Sequence, residues 1–193
     1  MRPIIKFFIS ISLFLFSCFG VSGSELNKFQ FGADYLHSFG LVENGLGMTF
    51  TDGMHSNAIR FSGLYNINPL FSAGIGVGVE VYEPHRSSLP IYASGRWRPL
   101  QKPLLDDFYV LMNMGYSVSM DDDHILTSGF LGEAGIGWQK MLRRHFGLNL
   151  QFGYQLKQFH LDTVWCGENG EGPYNRKSDF WRQSLFLSFG LVF

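Results

Sequence analysis

The sequence is poor in charge, in long apolar runs and in basic clusters. Charged residues make up 16% of its 193 residues, against roughly 25% in soluble domains, which argues against an ordinary soluble globule. After the N-terminus no run of about 18 apolar residues occurs, so we expect no transmembrane helix in the mature chain. Lys and Arg nowhere form a run, so we expect no nucleic-acid partner.

Cysteine is confined to Cys18 and Cys166. Cys18 lies in an N-terminal segment that we expect to be removed, which would leave Cys166 as a lone thiol without an internal disulfide partner. Two interpretations of Cys166 stay open, an incidental loop cysteine and one partner of an intermolecular disulfide.

Residues 1–23 are typical of an export signal. Arg2 and Lys6 supply positive charge, and an apolar run from 7 to 19 follows that is too short to stay in a membrane. The small residues at 21–23 offer a cleavage site, which predicts that the mature chain spans residues 24–193.

A lipoprotein signal is the alternative, with Cys18 as the acylated residue. Leu15, Phe16 and Ser17 precede Cys18 in the matching order. Phe16 departs from the small or branched residue that this pattern prefers, so cleavage after residue 23 is our prediction.

The sequence is rich in aromatic residues and glycine, and its apolar residues alternate with small or polar ones. It contains 20 Phe and 23 Gly. In the last stretch, 181–193, every second residue from Trp181 to Phe193 is apolar except Gln183, and the residues between them are mostly small or polar. A period of two predicts a β-strand, and an apolar face opposite a polar one is typical of a strand with lipid outside and a packed lumen inside.

Seven earlier segments show the same alternation, so we predict eight strands. They cover residues 29–39, 55–66, 70–82, 89–98, 108–119, 127–139, 145–160 and 181–193. The connections alternate between long and short, and 161–180 is predicted as the longest polar loop and as the contact surface. An even strand count with this alternation predicts an all-β, eight-stranded antiparallel up-and-down transmembrane barrel.

The predicted inward positions carry both acids and bases. We expect them to form a lumen charge network of Asp34, Arg60, Glu80, Arg96, Arg98, Glu133, Lys157 and Arg182. Since an unpaired buried charge is very costly, we expect these groups to pair and to fill the lumen. Gly74, Gly76 and Gly78 also face inward and should leave room for Tyr92, Arg96 and Arg98. A narrow pore or a binding cavity is the alternative.

The export signal, the eight alternating segments, the aromatic residues near strand ends and the terminal Phe186, Phe189 and Phe193 resemble the small outer-membrane β-barrel superfamily. Its members include the outer-membrane protein X type, the OmpA transmembrane domain and the OmpW type. The resemblance covers nearly the whole mature chain and concerns the fold, which several functions share. It implies a place in the outer membrane of a Gram-negative-type bacterium, among lipid and lipopolysaccharide. Because the sequence ends at Phe193, we expect no peptidoglycan-binding domain of the OmpA type.

In that superfamily the last strand and its final aromatic residue are read by the barrel-assembly machinery. The resemblance therefore implies an assembly signal in this chain. Its residues are Leu185, Leu187, Phe189, Leu191 and Phe193.

Some barrels of this superfamily are lipid A deacylases with His-x-Ser on a late strand and a downstream Glu. Here His124, Ser128 and Glu133 are the nearest match, with His-x-x-x-Ser spacing that departs from the family pattern. We therefore expect a non-enzymatic barrel with a structural or surface-interaction role and without a cofactor or metal site. A lipid A ester hydrolase and a narrow channel for small solutes remain the alternatives.

Overall fold

The fold is described from a computed structural model. It covers residues 28–45, 48–50, 55–82, 86–99, 107–120, 126–127, 129–143, 146–165 and 174–193. The predicted export signal, both cysteines, His124 and Ser128 lie outside these ranges.

The described residues form ten strands, two of them short. They are β1 Phe29–Gly45, β2 Met48–Phe50, β3 His55–Asn66, β4 Phe71–Tyr82, β5 Arg86–Trp97, β6 Phe108–Ser119, β7 Leu126–Thr127, β8 Gly129–Arg143, β9 Phe146–Trp165 and β10 Tyr174–Val192. The eight long strands have 12 to 20 residues, more than the roughly 9–11 that a tilted strand needs to cross a bilayer. No helix in the described ranges is long and apolar enough to cross a membrane.

The long strands close into a barrel. Each pairs antiparallel with the next long strand along the chain, and β10 pairs with both β9 and β1. The last strand thus meets the first, with Val192 opposite Gly32 and Trp181 opposite Asn44. The predicted eight-stranded antiparallel barrel is confirmed.

Burial alternates along each wall strand as the period of two predicts. On β6, Val110 and Met112 are exposed on the outside, while Tyr109 and Leu111 between them are buried in the lumen. A wall of exposed large apolar side chains is therefore present, and the polar residues lie inside.

Two hairpins extend beyond the predicted wall strands, and both lie at the end of the barrel that we call the hairpin end. We predicted 161–180 as a loop, but β9 continues to Trp165 and β10 begins at Tyr174, with these two residues paired. Past the end of the barrel wall, a strand does not have lipid on one face and the lumen on the other. The alternation of apolar and polar residues therefore weakens there, while the backbone pairing continues. The first strand similarly continues past residue 39 to Gly45 and pairs with β2.

A β-bulge in β1 changes which residues face the lumen. Opposite β10 the register shifts between Gly40 and Val42, so that Leu41 is an extra residue. A bulge re-aims the side chains that follow it. By strict alternation Glu43 would face outward with Leu41, but the bulge sets Glu43 opposite Arg182.

Inward glycines accommodate large side chains from the neighbouring strand. Gly76 is paired with Tyr92, and a Cβ atom at Gly76 would lie 2.2 Å from the Cζ atom of Tyr92. The expected room for Tyr92 is therefore found at Gly76. Gly78 accommodates a side chain from a different strand. It lies against Arg60 of β3, its direct cross-strand partner.

Candidate functional site: the charged lumen

The charged residues of the lumen lie in three groups along the barrel axis. The rim pair, Glu43 and Arg182, is at the hairpin end. The central cluster consists of Arg60, Glu80, Glu133 and Lys157. The terminal-end cluster, Asp34 with Arg96 and Arg98, lies toward the opposite end, where β1 begins and the chain ends, and which we call the terminal end.

The central cluster joins residues from four strands across the lumen. Arg60 Nη1 lies 2.8 Å from the Glu133 carboxylate, and Nη2 lies 3.4 Å from Glu80 Oε2. Lys157 Nζ contacts the same Glu80 oxygen and also the hydroxyl of Tyr82. All four charged side chains are almost fully buried, at 4% exposure or less. Two cations and two carboxylates therefore neutralise each other in one layer.

Neutral side chains complete the hydrogen bonding of the two carboxylates. Ser56 Oγ donates to Glu80 Oε1 over 2.8 Å. Asn113 and Gln155 donate to the two oxygens of Glu133 over 2.8 and 2.7 Å. Every carboxylate oxygen of the cluster thus accepts at least one hydrogen bond, which a buried charge needs. Sequence reasoning missed these neutral partners, although their inward position in the alternation was a usable signal.

The rim pair lies in the lumen at its hairpin end. Arg182 donates from Nε and Nη2 to Glu43 Oε2, over 3.0 and 2.8 Å. Its guanidinium also lies over the rings of Tyr82 and Phe159, 5.2 and 5.3 Å from their centroids. Glu43 was absent from the predicted network because only the bulge turns it inward.

Replacing Glu43 by Gln should lower the free energy of unfolding by about 1 kcal/mol, since a charge-assisted hydrogen bond becomes a neutral one. Urea titration of the refolded barrel in a neutral detergent would measure it. Asp107→Asn is the matched control, because Asp107 forms a more exposed pair with Lys140, a kind worth little. Equal effects of the two substitutions would contradict a structural role for the rim pair.

In the terminal-end cluster Arg96 and Arg98 share a neutral acceptor. Asp34 accepts from Asn149 Nδ2 over 2.7 Å. Arg96 Nη1 and Arg98 Nη2 both point to the amide oxygen of Gln139, over 3.2 and 3.5 Å. This part of the lumen therefore brings two cations close together around one neutral acceptor.

Of the residues considered for ester hydrolysis, only Glu133 lies in the described part of the chain, and both its oxygens are occupied in the central cluster. Among the described residues, no group of three or more His, Cys, Asp or Glu side chains could hold a metal ion.

The residues considered as an assembly signal alternate on the outer face of β10. Leu187 and Phe189 are exposed there, and Phe193, which follows the strand, is exposed as well. The backbone of Phe193 pairs with Phe31 through two hydrogen bonds of 2.8 and 3.0 Å.

No protein-family model matches the sequence, and no curated protein does. Solved structures do match. The crystal structure of the outer membrane protein OprG from Pseudomonas aeruginosa superposes with a TM-score of 0.54 at 12% identity, covering 86% of this chain and 96% of OprG. The chain has the fold of the small outer-membrane β-barrels. A second such barrel, outer membrane protein AlkL, solved by solid-state NMR in DMPC lipid bilayers, matches with a TM-score of 0.50 at 15% identity over 88% of this chain and 92% of AlkL.

At these identities the likeness concerns the fold alone. The lumen residues of this barrel must therefore be interpreted from their own contacts.

Proposed function

We propose that this chain is a non-enzymatic barrel of the outer membrane of a Gram-negative-type bacterium, with a lumen plugged by paired charges and a structural or surface-interaction role. The central cluster is the observation that carries this proposal. Eight strands enclose an interior just wide enough for side chains, and here a neutral layer of four charged side chains crosses it.

The outer wall supports a position in the membrane. Its exposed side chains are large and apolar, as with Ile75 at 73% and Met112 at 59% exposure, and such a band suits lipid. The proposed partners are therefore outer-membrane lipid and lipopolysaccharide, with the barrel-assembly machinery reading the last strand at Leu185, Leu187, Phe189, Leu191 and Phe193.

The hairpin end is the proposed contact surface. Both extended hairpins, β1 with β2 and β9 with β10, lie there. If the terminal end faces the periplasm, these hairpins project from the cell. A surface role therefore depends on them and on the loops beside them.

Single-channel recording in planar bilayers tests the plug. The wild-type barrel should show no steady openings, whereas Arg60→Ser/Glu133→Ser should show them, because the exchange removes two of the side chains that cross the lumen. Lys140→Ser/Asp107→Ser, which removes an exposed ion pair of the same charges, is the matched control and should stay silent. Steady openings of the wild-type protein would contradict the plug and favour the narrow channel.

A further inference from the structure

One small cavity in the lumen is lined by members of both the central cluster and the terminal-end cluster. Arg60 belongs to the first of these clusters, and Asp34 and Arg96 belong to the second. The cavity has about 10 Å³ open to the centre of a water molecule, which is about the room that a single buried water needs. Its size therefore admits one water or one small ion and excludes an organic ligand.

Four side chains that line this cavity each carry a buried polar atom without a hydrogen-bond partner in the described part of the chain. The atoms are Arg60 Nε, Ser62 Oγ, Asn113 Oδ1 and Ser188 Oγ. They come from three strands, β3, β6 and β10. Buried polar atoms are normally paired, because an unpaired one loses its hydration without compensation. The gathering of four such atoms around one cavity therefore requires a common explanation.

The direction of hydrogen bonding is fixed for two of the four atoms. Arg60 Nε carries a hydrogen and can only donate, and the two Nη atoms of this side chain already contact Glu80 and Glu133. Asn113 donates from Nδ2 to Glu133 Oε2 over 2.8 Å. Since an ionised carboxylate only accepts, the other amide atom, Oδ1, must be the acceptor. An occupant of the cavity therefore has to accept from Arg60 and donate to Asn113.

Water meets both requirements, whereas an ion meets at most one. Chloride would accept from Arg60 Nε but would leave the Asn113 oxygen unpaired, and it would share the cavity with the carboxylate of Asp34. A metal cation would be repelled by the guanidiniums of Arg60 and Arg96, which line the same space. A serine hydroxyl can donate or accept, so Ser62 and Ser188 fit a neutral occupant equally well.

We propose that this cavity binds one ordered water molecule that accepts from Arg60 Nε and donates to Asn113 Oδ1, with the hydroxyls of Ser62 and Ser188 as further partners. Four partners fall within the range that buried waters use. The water extends the hydrogen-bond network of the central cluster to β10, a strand that contributes no charge to that cluster. The inference rests on the proposed plug, since a closed lumen is what keeps a single water in place.

Nuclear magnetic resonance of the refolded full chain in detergent micelles tests the site through the Nε–H proton of Arg60. A water held beside this proton gives a dipolar cross-peak at the water frequency, and rotating-frame experiments distinguish it by its sign from a peak caused by proton exchange. We expect the dipolar cross-peak in the wild-type barrel. Its absence at a resolved Arg60 resonance would overturn the proposal.

Two substitutions of Ser188 separate the space of the cavity from its hydroxyl groups. Ser188→Ala removes a hydroxyl and keeps the space, so the cross-peak should persist. Ser188→Val fills the space with methyl groups, so the cross-peak should be lost. Ser117→Val is the matched control, because Ser117 is a buried serine that donates to Ser88 Oγ over 3.0 Å and does not line the cavity. A cross-peak that survives in folded Ser188→Val would also overturn the proposal.

A folding check and a second readout complete the test. Heat-modifiable gel migration shows whether each variant is folded, and Ser62→Val replaces Ser188→Val if the latter does not fold. In a crystal of the wild-type protein, density for a water between Arg60 Nε and Asn113 Oδ1 supports the site. Anomalous signal there after a bromide soak identifies an anion and overturns it.

Conductance separates a failure of the water site from a failure of the plug. Silent bilayer recordings without the cross-peak would refute the water site and leave the plug standing. Steady openings of the wild-type barrel without the cross-peak would refute both.

Discussion

Replacing Arg60 by Met is expected to lower the free energy of unfolding of the barrel by about 3–5 kcal/mol, the usual result of removing one partner from a buried ion pair. Arg60 is 3% exposed and contacts both Glu80 and Glu133. Without it, two buried carboxylates would share the single charge of Lys157. Urea or guanidinium titration of the refolded barrel would measure the loss.

A second substitution separates the charge from the shape of the side chain. Arg60→Met/Glu133→Gln restores neutrality in the central cluster and should be more stable than Arg60→Met alone, although it has one more altered residue. Lys140→Met, which breaks an exposed pair, should change stability by less than about 1 kcal/mol. If Arg60→Met were as mild as Lys140→Met, the central cluster would not be the element that stabilises the lumen.

The fold could be predicted because the barrel wall imposes a period of two on the sequence. In β4, the outward Ile75, Val77 and Val81 alternate with the inward Gly76, Gly78 and Glu80, and burial follows this order. A wall between lipid and a packed lumen leaves few other arrangements. The same rule predicts an inward position for charged residues of the wall such as Glu80.

The pairing inside the lumen could not be predicted in the same way. Arg60 and Glu133 are 73 residues apart, and Arg182 and Glu43 are 139 apart. Alternation says which face a side chain occupies, but partners across the lumen depend on strand stagger and side-chain length. Glu43 was harder still to predict, because a one-residue bulge turns its side chain from the outer face to the lumen. Nothing in the alternation before residue 40 indicates this bulge.

The extent of the hairpin between β9 and β10 was missed for a related reason. Backbone pairing continues to Trp165 and Tyr174, although the alternation fades near residue 160. Hydrogen bonds between strands need no apolar face, so a solvated hairpin leaves little trace in a hydrophobicity pattern.

Replacing Gly115 by Ala is expected to lower the free energy of unfolding by about 1–3 kcal/mol, the range for overpacking a filled interior. A Cβ atom at Gly115 would lie 2.1 Å from the carbonyl oxygen of Ile91 and 2.5 Å from the Cα atom of Tyr92. These are backbone atoms of β5, the neighbouring strand, so no side-chain rotation can relieve the clash. The two strands would have to separate locally at this position.

Gly95→Ala is the matched control on the same strand pair. Gly95 lies opposite Met112, and the nearest atom to a Cβ there is 3.8 Å away, an ordinary contact. Because Ala restricts the unfolded chain more than Gly does, this substitution should be neutral or stabilise the barrel by up to about 1 kcal/mol. Urea titrations of both variants test the contrast directly. A neutral effect of Gly115→Ala as well would mean that the strands separate at little cost in free energy. The close approach of β5 would then not explain the glycine at position 115.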